Sequence, residues 1–245
     1  MNLHDGVLFI LAFLSEVLGT LSGFGSSTFF VPIAAWVESM QMVLVLTGLL
    51  HCFGNSGKIF LFRQYFQWKY FTQFAFPAII FTGVGAILNT RVSLPWAHRT
   101  LGLLLIVLPV FVFWMKRQNH ALRFAAWQTW LLCALSGFLT GLVGTGGAIR
   151  GLALAALGLN KNIFVMLSSS MDLGGDILRT GIYLKNGYMD WSQWFYLPLL
   201  GIAAIAGSWI GQKLLNHVSQ AQFEKIVMVF VFLSGCTMLI QAAAE

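Results

Sequence analysis

Apolar windows of membrane-spanning length recur along this chain, at Gln41–Ile59, Tyr70–Leu88, Arg99–Trp114, Trp127–Val143, Ile163–Tyr183, Trp194–Ile210 and Phe223–Ile240. A helix of about 20 apolar residues rises about 30 Å, the thickness of the hydrocarbon layer of a bilayer. Composition agrees: hydrophobic residues make up 58% of the 245 and charged residues 9%, against about 25% in soluble domains. The chain therefore reads as an all-α polytopic membrane protein whose first partner is the lipid bilayer. Its opening stretch, MNLHDG, carries no Lys or Arg before Val7, so a cleaved leader is not expected.

The same residues argue against several functions. A formal charge of +6 is spread over short loops, with no soluble domain to present a patch to nucleic acid. Cys52, Cys133 and Cys236 stand singly inside apolar windows, without a CxxC pair or a His spacing suited to a metal. They read as packing residues, and neither metal nor cofactor is expected. An enzyme would need a nucleophile with its base, paired acids in context, or a metal cluster, and no HExxH or GxSxG accompanies the acids here. The segment GLVGTGGAIRG at 141–151 is not followed by the Gly-Lys-Ser/Thr of a phosphate-binding loop.

Sliding the chain along itself gives one consistent offset of 121 residues. It pairs Gly23 and Gly25 with Gly144 and Gly146, Ala34 and Ala35 with Ala155 and Ala156, Gly54 with Gly175, Lys58 with Arg179, and Pro77 with Pro198. Two related halves are predicted: residues 1–115, a basic cytoplasmic linker at 116–126, and residues 127–245. Each half reads as a glycine-broken helix or re-entrant hairpin followed by three transmembrane helices. The pieces after the glycines, Thr28–Val37 and Ile149–Leu159, are too short to span. Backbone broken at membrane depth is tolerated only where protein or a watery cavity satisfies its N–H and C=O groups.

If each broken stretch enters and returns on one side, the halves are inverted relative to each other. One face then receives Arg63, Lys69, Lys116, Arg117, Arg123, Lys161, Lys213 and Lys225, the other Arg91, Arg99 and Lys185. The positive-inside rule places the first face in the cytoplasm and both termini in the periplasm.

Six ionisable residues fall inside apolar windows: Glu16, Lys58, Arg150, Asp172, Asp176 and Arg179. A charge at the bilayer centre costs at least about 2.5–3.5 kcal/mol, so such groups face a cavity or one another. His51, Asn55 and Lys58 share one helix face, and the offset carries that face onto Asp172, Asp176 and Arg179. Two readings of these stripes stand side by side. In one, Asp172 and Asp176 neutralise Arg179, Glu16 pairs with Lys58 or Lys58 snorkels to the interface, and the charges lock the packing. In the other, the cations serve a ligand.

On the second reading, half-helix N-termini after Gly25 and after Gly146–Gly147 aim free amides at a midplane cavity. Arg150, together with Lys58 or Arg179, adds positive charge. Gly23 and Gly144 complete the breaks, His51 and Asn55 line them, and Ser22, Ser26, Ser27, Thr28 and Thr145 offer hydroxyl donors. Such a site suits a small anionic solute. Glu16, Asp172 and Asp176 are the candidates for coupling a proton or sodium ion. The GxxxG spacings Gly19–Gly23, Gly137–Gly141, Gly147–Gly151 and Gly207–Gly211 suit close helix contact, within the chain or in a homo-oligomer.

The broken stretches SGFGSSTFFVPIAAW and VGTGGAIRGLALAALGL, with the helix start FVMLSSSM, resemble the sulfite exporter TauE/SafE family, the toluene-sulfonate uptake permeases. The likeness spans nearly the whole chain. It implies a bacterial inner-membrane transporter of sulfite, an organosulfonate or a related sulfur oxyanion. The glycine cluster G-x-G-G-G usual in that family is replaced by Gly23-Phe24-Gly25-Ser26-Ser27 and Gly144-Thr145-Gly146-Gly147-Ala148. The expected function is a secondary permease working by alternating access, with a passive anion channel and a non-transporting assembly factor as the alternatives.

Overall fold

The computed structural model describes residues 3–23, 25–91, 102–103, 106–107, 110 and 124–244. Among these residues the chain is helical without strands. Five helices are long and apolar enough to cross a membrane: Asp5–Ser22, Met40–Tyr65, Trp68–Asn89, Ala126–Val143 and Tyr196–His217. The predicted window Arg99–Trp114 and the linker at 116–126 lie almost wholly outside the described residues, although Gly102 and Ile106 pack on Gly235.

Helix α1 (Leu3–Ser22) ends at a glycine turn, and α2 (Ser27–Ala34) returns along it. Phe30, Val31 and Ala34 of α2 join Leu8 and Ala12 of α1 in one apolar cluster. Helix α3 (Met40–Phe62) starts at Ser39, whose side chain accepts from the Met42 amide. Helix α4 (Trp68–Asn89) widens into a π-turn over Phe71–Ala75. Pro77 follows that turn and has no N–H to close a regular one, which accounts for the widening.

A second long helix, glycine turn and short helix follow. Helix α5 (Ala126–Val143) stops at Gly144, whose φ of 82° is left-handed and open to glycine at little cost. Helix α6 (Gly147–Ala155) turns back, and α7 (Lys161–Lys185), α8 (Tyr196–His217) and α9 (Gln220–Ala244) follow. At 8 and 9 residues, α2 and α6 rise about 12–14 Å and cannot span.

Small residues set the closest contacts. On α5, a Cβ at Gly137 would collide with the Ala78 carbonyl and one at Gly141 with the Thr82 carbonyl of α4. Gly207 and Gly211 of α8 meet Phe13 and Val17 of α1 in the same way. These two GxxxG spacings are therefore occupied inside the fold. The register makes α4 parallel to α5 and α1 parallel to α8. Helices α3 and α7 run opposite ways, since Gly48 meets Thr180 while His51 and Asn55 meet Asp176.

The apolar core divides in two. One cluster gathers Phe62 with Phe74, Ile149, Phe164 and Phe223; the other gathers Leu8, Phe30, Leu44, Leu50, Tyr183 and Tyr196. On α3 the residues between the clusters are His51 to Lys58, and on α7 they are Asp172 to Arg179. A polar layer is thus sandwiched between two apolar ones.

Candidate functional site

The two predicted stripes meet face to face in this layer. Asp176 accepts hydrogen bonds from Asn55 Nδ2 at 3.1 Å and from Arg179 Nε at 2.7 Å, with His51 Nδ1 at 3.1 Å. His51 Nε2 accepts the backbone N–H of Ser27, the first residue of α2, at 2.9 Å. That bond assigns the tautomer: Nε2 is the acceptor, so Nδ1 carries the proton and donates to Asp176.

Glu16 reaches across from α1 to Lys58, 2.8 Å from its Nζ. Ser26 Oγ donates to the other Glu16 oxygen at 2.6 Å, and Ser208 Oγ of α8 lies 3.0 Å from Glu16 Oε1. Gly54 makes room for this carboxylate, because a Cβ there would overlap it. Arg150 grips both oxygens of Asp172 through Nη1 and Nη2, while its Nε donates to Ser168 Oγ at 3.0 Å. None of these seven ionisable side chains, His51 included, is more than 5% exposed.

The expected free cations are therefore corrected. Arg150 and Lys58 are each tied to a carboxylate, and Lys58 does not snorkel, being 2% exposed. Asp172 serves Arg150 rather than Arg179. The physical reason is common to all three pairs: an unpaired charge at this depth costs several kcal/mol, and a partner with hydrogen bonds removes most of that. The amide of Ser27 is likewise not free but held by His51.

Arg179 differs from the other cations. Its Nε is bound to Asp176, yet among the described residues Nη1 and Nη2 have the Tyr183 hydroxyl as their one neighbouring acceptor, and the side chain is fully buried. Nη1 faces the second glycine break, 3.9 Å from where a Cβ of Gly144 would stand. The Tyr183 hydroxyl, one turn on, interacts with this guanidinium and gives its own proton to the Gly141 carbonyl. Thr28 Oγ1, in the first turn of α2, and Asn55 Oδ1 are also buried without partners among the described residues.

The two breaks are brought into this layer from opposite halves. Gly25, at a φ of 101°, lies against α3, α6 and α7, where a Cβ would stand 3.4 Å from Asp172 Oδ2 and His51 Cε1 and 3.8 Å from Arg150 Nη2. Gly23 packs on Phe164 and Phe223. Gly146 is pinned to α5 by Ser136, whose hydroxyl donates to its carbonyl at 2.8 Å, and Gly147 opens α6. Ser22 turns its hydroxyl to the Gly19 carbonyl of its own helix at 3.2 Å. Thr145 is buried.

Ser168 and Ser208 were not among the expected site residues. Ser168 stands one turn before Asp172, so extending the α7 stripe backwards would have reached it. Ser208 carries no such signal, because its role depends on α8 lying against α1.

Spanning helices wrapped around a buried, charge-balanced layer, with two glycine-broken helices meeting in it, define a multi-pass membrane protein built around an intramembrane polar centre. Comparison with known families gives the particular group. The chain belongs to the sulfite exporter TauE/SafE family, whose model matches residues 8–238, nearly the whole chain. Proteins of that family are membrane transporters of sulfite and related sulfur compounds. No curated protein and no solved structure matches the chain.

Proposed function

We propose that this protein is a secondary carrier that moves a small anion, sulfite, an organosulfonate or a related sulfur oxyanion, across the bacterial inner membrane by alternating access. The observation that carries this reading is Arg179. Two guanidinium nitrogens with four N–H donors, buried in a membrane interior and met among the described residues by the Tyr183 hydroxyl alone, are a standing cost that the oxygens of an anion would remove. The neighbouring break supplies the amide end of α6, whose dipole favours the same charge. Arg150 and Lys58 bind through exchange: the incoming oxygens replace Asp172 or Glu16 as the cation's partner while the layer opens to one side.

A carrier is favoured over a passive channel by the apolar clusters above and below the layer, which shut it from both faces at once. Two inverted repeats, residues 1–115 and 127–245 joined by 116–126, are part of the proposal. The opposite directions of α3 and α7 support it, as does the matching of the α1–α8 contact with the α5–α4 contact. Arg63, Lys69, Lys161, Lys213 and Lys225 fall at one end of their helices, which supports a cytoplasmic position for that end and periplasmic termini.

The test is flux into proteoliposomes and thermal stabilisation by sulfite, thiosulfate, sulfoacetate, taurine and phosphate. Saturating ligand at about 100 times Kd adds about 2.7 kcal/mol to stability. Arg179→Gln should lower anion affinity by about 10- to 100-fold, the worth of one or two charge-assisted hydrogen bonds. Undiminished flux in that variant removes Arg179 from the site, and stabilisation by none of the anions defeats the carrier reading.

A further inference from the structure

We infer that His51 is the proton-carrying residue of this carrier, and that its protonation creates the place the anion takes at the head of α2. The inference rests on the anion-carrier reading above.

Two observations carry it. The first is the charge count of the layer. Glu16 of α1 and Asp172 and Asp176 of α7 are acids; Lys58 of α3, Arg150 of α6 and Arg179 of α7 are cations. The three acids each act electrostatically on His51, the cations Lys58, Arg150 and Arg179 act on Glu16, Asp172 and Asp176 in turn, and the six charges sum to zero. A singly charged anion entering alone would leave a net negative charge in a low-dielectric interior, whereas an anion with one proton leaves none.

The second observation is where that proton would go. His51 Nε2 holds its lone pair against the Ser27 N–H. An anion cannot use this amide while the imidazole occupies it. Protonation at Nε2 turns the acceptor into a donor, so that Ser27 N–H and Nε2–H face each other and must part. Two donors then point into one gap, joined by Thr28 Oγ1, which is buried and has no hydrogen-bond partner among the described residues. Nδ1 continues to donate to Asp176, so the imidazolium keeps a carboxylate at its back. The proton comes from water on one side and returns to water on the other, and the anion travels with it.

The same event frees α2 from α3. Ser27 to His51 is a direct hydrogen bond between the short first-half helix and the α3 stripe. Loading a proton and an anion therefore also releases this tie.

The experiment uses the purified chain in proteoliposomes with a pH-sensitive dye inside. The probe is methanesulfonate or, where it is not carried, isethionate, both singly charged between about pH 6 and pH 8, the range in which histidine titrates. In the wild type, anion entry should acidify the lumen, and apparent affinity should fall about tenfold per pH unit on the alkaline side, as one linked proton requires. His51→Gln keeps an acceptor for Ser27 but cannot titrate; its uptake should be weak and flat with pH, without acidification. Where this variant does not fold, His51→Asn takes its place with the same expectation, so that proton movement by the wild type is set against a side chain that cannot titrate. Wild-type uptake that is flat with pH and moves no proton overturns the inference and leaves the carrier standing. Proton movement persisting in His51→Gln also overturns it, transferring the role to an acid. Absence of uptake of either anion at every pH defeats the carrier reading and the inference together.

Discussion

The two glycine breaks do the same geometric job with different restraints. The first shares a bond of its own hairpin, Gly23 N–H to the Gly19 carbonyl, but adds charged and titratable partners: Ser26 is bound to Glu16 of α1 and Ser27 to His51 of α3. The second is held by its own hairpin: Gly144 N–H bonds the Thr140 carbonyl and Ser136 bonds the Gly146 carbonyl, both within α5. Yet the second break faces Arg179, the buried guanidinium whose Nη groups have no carboxylate partner among the described residues. The difference suggests a division of labour, in which a rigid break presents donors and a switchable break responds to the state of the layer.

That contrast can be broken by stability measurements on purified protein. The largest effect belongs to Glu16→Gln, which strands Lys58 in the core; a loss of about 3–5 kcal/mol is expected, read as collapse of thermal unfolding temperature and expression. The double variant Glu16→Gln with Lys58→Gln should recover much of it, because no charge is then left alone. Next comes Ser26→Ala, which removes a hydrogen bond to a charged group and should cost about 1.5–3 kcal/mol. Ser136→Ala removes a neutral bond at the second break and should cost about 1 kcal/mol. Equal losses at Ser26 and Ser136 would erase the distinction between the two breaks. Ser22→Ala should change stability by less than about 0.5 kcal/mol, since its hydroxyl only returns to its own helix.

Much of this architecture was written in local pattern. Window length marks the spanning helices, and glycine clusters mark the breaks to within a few residues: Thr28–Val37 and Ile149–Leu159 are expected where Ser27–Ala34 and Gly147–Ala155 are found. Helical spacing also put His51, Asn55 and Lys58 on one face and Asp172, Asp176 and Arg179 on another, which is how they stand. Pairing across helices was less legible. Periodicity names the face a residue occupies, but whether Asp172 turns to Arg179 on its own helix or to Arg150 on α6 depends on how closely the second hairpin approaches α7. The same holds for Ser27, whose amide looked open because nothing in the local sequence announces an imidazole from α3.

The interlocked glycines of α4 with α5 and of α1 with α8 have a mechanical consequence. Backbones meshed that tightly cannot slide or separate without collision, so each couple must travel as a single stiff beam. The seam between α3 and α7 is joined instead by side chains able to trade partners. In the carrier proposed above, the rocking that opens the centre to one aqueous compartment and then the other would have its pivot there, between two beams that do not bend.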